Sequence, residues 1–138
     1  MGLLSQPTSR FDANLVDTLQ NHLFEFVDEN GQAIALDLAA TNINRGRDHA
    51  IPAYHKYRKF CGFSSINDFN DLKPIMKSAH IDQLRSIYSS VKDIDLFVGG
   101  LHEAPVDGAL VGPTFGCLIS KQFEDLKKGD RFYYENGG

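Results

Sequence analysis

The sequence predicts a mainly α-helical fold of several short helices joined by long loops. Three observations predict it. Apolar residues recur at helical spacing in separate stretches, around residues 15–26, 81–88 and 117–126. Prolines stand where helices open, at Pro52 and Pro113, and glycines where they stop, at Gly62 and Gly129. Turn-forming runs such as Asp28-Glu29-Asn30-Gly31 separate the periodic stretches.

Taken in order, residues 1–10 read as an extended lead-in with Pro7. From about Asn14 the residues Leu15, Leu19, Leu23 and Phe26 recur on one helical face, with Asp12 or Asn14 as caps and His22 on the helix surface. Asp37 then caps a short helix within the stretch 36–49, whose apolar lead-in is Leu36, Leu38, Ala39 and Ala40. Pro52 suits the first turn of a helix running to about Phe60, and Gly62 stops it. Ser65 is the expected cap of a short helix over residues 67–72. After Pro74, the residues Ile81, Leu84, Ile87 and Tyr88 give a further helix its apolar face, with His80 at its surface or cap.

Residues 93–101 look like a short buried helix ended by Gly99-Gly100, followed by a loop that starts with His102-Glu103. That His-Glu pair is a weak acid–base candidate, because no cleft is defined around it. The last helix opens at Pro113 and turns Cys117, Leu118, Phe123 and Leu126 inward. Lys127 and Lys128 suit its negative end. The closing Arg131-Phe132-Tyr133-Tyr134 is aromatic and is expected to pack back on the core.

The bulk numbers exclude several classes. With 138 residues the chain forms at most one domain, and 42% hydrophobic with 23% charged residues is ordinary for a globular protein. A net charge of −4 argues against nucleic acid, which needs a basic patch. No run of about 18 apolar residues is present, so no membrane span is expected. The start Met1-Gly2-Leu3-Leu4 has the wrong flanks for a secretory signal. His55 has no spaced carboxylate or cysteine partner for a metal. Spacing alone leaves open whether Cys61 and Cys117 pair or stay as two buried thiols.

The chemistry concentrates in Asn42-Ile43-Asn44-Arg45-Gly46-Arg47-Asp48-His49. On a helix, Asn42, Arg45 and His49 share one face, while Arg47 and Asp48 point elsewhere. A neutral amide and a guanidinium on an otherwise apolar element suit a buried anionic group with a polar neighbour. Downstream come Ile51-Pro52 leading into Tyr57-Arg58-Lys59-Phe60-Cys61-Gly62, then Asp93-Ile94-Asp95-Leu96-Phe97-Val98-Gly99-Gly100-Leu101. Val111-Gly112-Pro113 with Cys117 and Gly129-Asp130-Arg131-Phe132-Tyr133-Tyr134-Glu135-Asn136 complete the series. In this order the pieces closely resemble the animal haem peroxidases, the superfamily of myeloperoxidase, peroxidasin and peroxinectin. The cyclooxygenase-type relatives fit less well.

The resemblance implies a helical fragment of the animal haem peroxidase fold, with residues 1–138 a middle-to-late part of the domain truncated at both ends. It implies a haem cofactor, hydrogen peroxide as oxidant, and a halide, phenolic or tyrosyl reductant. Two residues match the family's proximal-side partners: Asn42, accepting a hydrogen bond from the proximal histidine, and Arg45, pairing with a haem propionate. It also implies a Cys61–Cys117 disulfide and an extracellular or secretory-pathway setting. Such a bridge closes a long loop and stabilises by roughly 4 kcal/mol on the chain-entropy model.

Other family parts are expected to lie upstream: the proximal and distal histidines, the distal arginine, the covalent haem-link carboxylates and the calcium loop. None of His22, His49, His55, His80 or His102 matches a ligand context. The isolated chain is therefore expected to be inactive and to need the rest of the peroxidase domain. Thr41, Asn44 and Ala50 depart from the usual family residues. The alternative function is a non-catalytic adhesion module, because Lys128-Gly129-Asp130 resembles an integrin-recognition tripeptide of the peroxinectin branch.

Overall fold

The computed structural model describes residues 2–9 and 12–136. It is mainly helical, with one small hairpin. The order is α1 (Asp17–Asn21), β1 (Leu23–Val27), β2 (Ala33–Leu36), α2 (Leu38–Asp48), α3 (Tyr54–Phe60), α4 (Ser78–Ile87), α5 (Leu96–His102) and α6 (Pro113–Gly129). Short 3-10 turns lie at Leu3–Ser5, Phe69–Leu72 and Val91–Asp93. In the lead-in, residues 1 and 10 fall outside the described residues.

The first element differs most from the sequence expectation. The helix is only Asp17–Asn21, so Leu15 precedes it and Leu23 and Phe26 leave it. Asp12 caps no helix; its Oδ1 accepts the Asn14 N–H at 2.8 Å in a local turn. Leu23–Val27 is rich in aromatic and branched residues and pairs antiparallel with Ala33–Leu36. The acidic turn between them is closed by the Asp28 carboxylate, which accepts from Asn30 and Gln32 backbone N–H groups, with Gly31 at φ +81°. A spacing of four residues in a short stretch fitted both a helix and this hairpin.

Helix α2 forms as its cap dictates: the Asp37 side chain accepts the Ala40 N–H at 3.0 Å. Its apolar face is only half-buried, and no residue of it is fully buried. Helix α3 begins at Tyr54, two residues after Pro52, and Cys61 is its C-cap. Asp68, rather than Ser65, caps the 3-10 turn, reciprocally with Asp71. In α4, Ile81 and Leu84 are buried, while Ile87 is exposed and Tyr88 forms the cap.

The stretch over residues 93–101 is split. A 3-10 turn ends at Asp93, and α5 starts at Leu96 and runs through both glycines. Gly99 and Gly100 are interior because neighbouring rings occupy the space: a Cβ on Gly99 would lie 2.4 Å from Tyr54 Cγ, and one on Gly100 2.4 Å from the Phe115 ring. Close approach, not helix termination, fixes both. Helix α6 turns Cys117 and Leu118 inward but leaves Phe123 and Leu126 exposed. Phe132 and Tyr134 are each 82% exposed, so the aromatic tail does not pack back on the core. Local turns hold it instead, with Asp130 Oδ1 accepting the Phe132 N–H.

The core gathers Tyr54, Ile66, Leu72, Met76, Ile81, Leu84, Val91 and Ile94. It sits among α3, α4 and the two later 3-10 turns. Helix α5 packs on α3 of this block and α2 packs on α5, which sets the groove described next.

Candidate functional site

Between α2 and α5 runs a half-open groove of about 430 Å³. The face that carries Asn42, Arg45 and His49 forms one wall, with Ile43 and Ile51 beside it. Leu96 and Phe97 from α5 and Phe115 from α6 form the apolar remainder. The sequence placed Asn42, Arg45 and His49 on one face, and all three line the groove. A second cavity of about 420 Å³, lined by Leu15, Ala39 and Leu101 among others, shares Asn42 and Phe97 with the first. Asn42 therefore stands where the two meet.

Neither the Asn42 amide nor the Arg45 guanidinium has a hydrogen-bond or ion-pair partner among the described residues. Both are polar groups beside an apolar wall, Asn42 half-buried and Arg45 exposed. The other arginine of the motif behaves differently. Arg47 reaches across to Asp95, donating from Nε to Oδ1 at 3.0 Å and from Nη2 to Oδ2 at 2.7 Å. Tyr88 donates its hydroxyl to the same Oδ2 at 2.7 Å. Arg47, which the helical spacing points away from the Asn42 face, thus ties α2 to the N-cap of α5. The Arg47 bonds hold the Asp95 carboxyl below its ordinary value. Burial, and then the bond to Asp95, push the Tyr88 phenol up to about 12.

Sequence reasoning missed a second polar cluster behind the groove. Glu103 is 3% exposed and accepts four bonds. Oε1 takes the Tyr54 hydroxyl at 2.5 Å, Arg58 Nη1 at 2.8 Å and the Thr114 hydroxyl at 2.6 Å, and Oε2 takes the Thr114 N–H at 2.8 Å. Burial foremost, then the adjacent carboxylate, raises the Tyr54 phenol well above its ordinary value. The Arg58 guanidinium also lies over the Phe63 ring, 5.0 Å from its centroid. Gly112 makes room, since a Cβ there would lie 2.3 Å from Glu103 Cβ. The i, i+4 spacing of Tyr54 and Arg58 was the one trace of this cluster in the sequence. With its oxygens so committed, Glu103 forms no acid–base pair with His102.

His102 donates from Nδ1 to the Val98 carbonyl at 2.8 Å, and its ring meets His80 edge-on with centroids 5.0 Å apart. His80 is thus half-buried against another imidazole rather than a surface cap. Among the described residues no group of three or more His, Cys, Asp or Glu side chains could hold a metal ion. Cys61 and Cys117 form a disulfide across 56 residues, with Cα atoms 6.1 Å apart. Arg58 precedes Cys61, and Thr114 precedes Cys117, by the same three residues. Lys128, Gly129 and Asp130 end α6 in exposed positions, where Lys128 pairs with Glu124.

The family model for the animal haem peroxidases matches residues 1–138. The chain belongs to the animal haem peroxidase family. Peroxidasin of Drosophila melanogaster is 45% identical over 128 residues, which are 92% of this chain and 8% of that protein. Peroxidase skpo-1 of Caenorhabditis elegans is 46% identical over 104 residues, 75% of this chain and 16% of that protein. Among solved structures, Peroxidase A from Dictyostelium discoideum superposes with a TM-score of 0.80 at 36% identity, over 98% of this chain and 25% of that one. The chain thus spans a minor part of each of these peroxidases.

The groove fits what the family implies. Haem is a flat apolar ring system with two carboxylates, and the groove offers Leu96, Phe97 and Phe115 beside an unpaired guanidinium. The unused Asn42 amide adds an acceptor of the kind a metal-bound imidazole requires. Among the described residues no helix is long and apolar enough to cross a membrane.

Proposed function

We propose that this chain is a middle-to-late segment of a haem-dependent peroxidase domain, and that its α2–α5 groove forms part of the proximal wall of the haem site. The observation that carries this reading is the pair Asn42 and Arg45, three residues apart on α2, both lining the apolar groove without a protein partner. Haem, when bound, supplies the redox-active iron that reduces hydrogen peroxide and then draws electrons from a halide, a phenol or a tyrosyl group.

The chain's own residues have three tasks in this reading. Asn42 accepts the free N–H of the proximal imidazole through its amide oxygen and so fixes the ring's orientation. Being neutral, it confers less imidazolate character than a carboxylate, which favours a higher iron potential. Arg45 donates to a propionate, the charge-assisted contact that guanidinium geometry suits. Leu96, Phe97 and Phe115 line the groove and would keep water from an apolar ring system bound there. The histidine ligand, the peroxide-side residues and any calcium site belong to the rest of the domain. The Cys61–Cys117 bridge supports an extracellular or secretory-pathway setting.

Two measurements test the reading. Titrated with haemin, the isolated chain is expected to show no histidine-ligated absorption spectrum and no peroxidase turnover; saturable binding with turnover refutes the segment reading. In the full-length haem protein, Asn42→Asp is expected to lower the iron reduction potential, measured by spectroelectrochemistry. An unchanged potential removes Asn42 from its assigned role.

A further inference from the structure

Helix α2 carries two arginines, Arg45 in the groove lining and Arg47 outside it, and among the described residues only Arg47 has an ion-pair partner. Asp95 is the carboxylate that lines the groove together with Arg45, yet it makes no ion pair with it. Both oxygens of Asp95 are taken: Arg47 holds them with a two-point fork, and Tyr88 donates to Oδ2. The Asp95 side chain is 17% exposed and that of Arg47 61%, so the acid is the sheltered partner and the cation faces solvent. A fork of this kind fixes orientation as well as charge. Arg45 is left as the groove-lining cation without a counter-charge among the described residues.

We propose that Arg47 and Tyr88 sequester Asp95, so that Arg45 keeps its guanidinium free for a carboxylate of the molecule that fills the groove. The ligand named, a haem propionate, rests on the reading given under Proposed function; the sequestration itself does not. Arg47 and Tyr88 are positioning residues in this scheme. Without them Asp95, an acid lining the same groove, turns to Arg45 across it and neutralises it. The bound anion then competes with a tethered one for a single guanidinium.

The test is phenylglyoxal labelling of the full chain, resolved by residue with peptide mass spectrometry. In the unaltered chain Arg45 is expected to label faster than Arg47. Arg47→Gln frees Asp95 and slows Arg45 labelling by roughly threefold, the scale of a partly solvated ion pair. Tyr88→Phe, which removes one donor of three, gives a smaller slowing. Arg47→Gln combined with Asp95→Asn restores the original rate, and Asp95→Asn alone leaves Arg45 as reactive as before. If Asp95 serves only to pack α2 on α5, the order changes: Asp95→Asn and the double variant disturb Arg45 as much as Arg47→Gln does. That order, or an Arg45 rate indifferent to Arg47→Gln, overturns the proposal.

A second arm compares haemin with its dimethyl ester on the full-length protein. Affinity for the free acid falls in Arg47→Gln and returns in the double variant, while affinity for the ester stays unchanged; equal losses for acid and ester overturn the carboxylate assignment. If no form of the protein takes up haemin, the haem reading falls, and the labelling order still decides whether Asp95 is sequestered.

Discussion

Glu103 and Arg58 form a buried ion pair, with side chains that are nearly inaccessible and bonds that also enlist Tyr54 and Thr114. Removing one partner strands the other in a poorly solvated site. Glu103→Ala is therefore expected to destabilise the chain by about 3–5 kcal/mol, seen as a lower urea midpoint with little change in slope. Asp95 makes the pH argument. Its folded value lies below its ordinary one, with Arg47 the largest cause, so its contribution is complete above the ordinary carboxylate value and is lost as pH falls through the depressed one. The acid limb of the stability profile should flatten in Arg47→Gln, and a limb that does not move would count against the pair. Two histidines should titrate in opposite senses by NMR: His22 above its ordinary value, because Glu25 bonds it, and His55 below, because burial disfavours its charged form. At this scale the sequence singled out Asn42 and Arg45 on one helical face, and both line the groove, while the cysteine pairing was implied by the family resemblance and not by spacing. Glu103 left no such mark, since a glutamate after a short helix looks the same whether it faces water or four donors.

Among the elements, legibility followed the strength of the local signal. Asp37 and Pro113 mark the starts of α2 and α6 with side-chain chemistry that acts within a few residues. Asp37→Ala should accordingly lower stability by about 1 kcal/mol, measured by thermal unfolding. The hairpin was not legible because its first strand carries apolar residues at spacings that also fit a helix, and the decision rests on pairing with a strand six residues further on. The glycines of α5 misled in another way. Their neighbours, Tyr54 and Phe115, lie far from them along the chain. Gly99→Ala gains about 1 kcal/mol in helix propensity but drives a methyl into Tyr54, and overpacking of about 1–3 kcal/mol is expected to outweigh it. A calorimetric melting temperature higher than that of the unaltered chain would refute the close-packing account.

The whole molecule is a small buried core with groove-forming helices on one side and many apolar side chains left uncovered on others. Phe24, Phe26 and Val27 of the hairpin and Phe123 of α6 are all exposed. The chain matches a quarter of Peroxidase A, and the resemblance read from five ordered motifs anticipated that fold correctly. Sequence alone misplaced the aromatic tail, because inward or outward packing depends on neighbours that periodicity does not name. One feature has reach beyond the groove. The buried carboxylate links Arg58 to Thr114, and three residues further along each segment the sulfurs join. Two fasteners with equal offsets work as a two-pin plug: α6 slid along by one turn meets neither socket. Oxidation of the thiols is thereby tied to correct docking, and the covalent bond becomes a lasting record that the helices met in register.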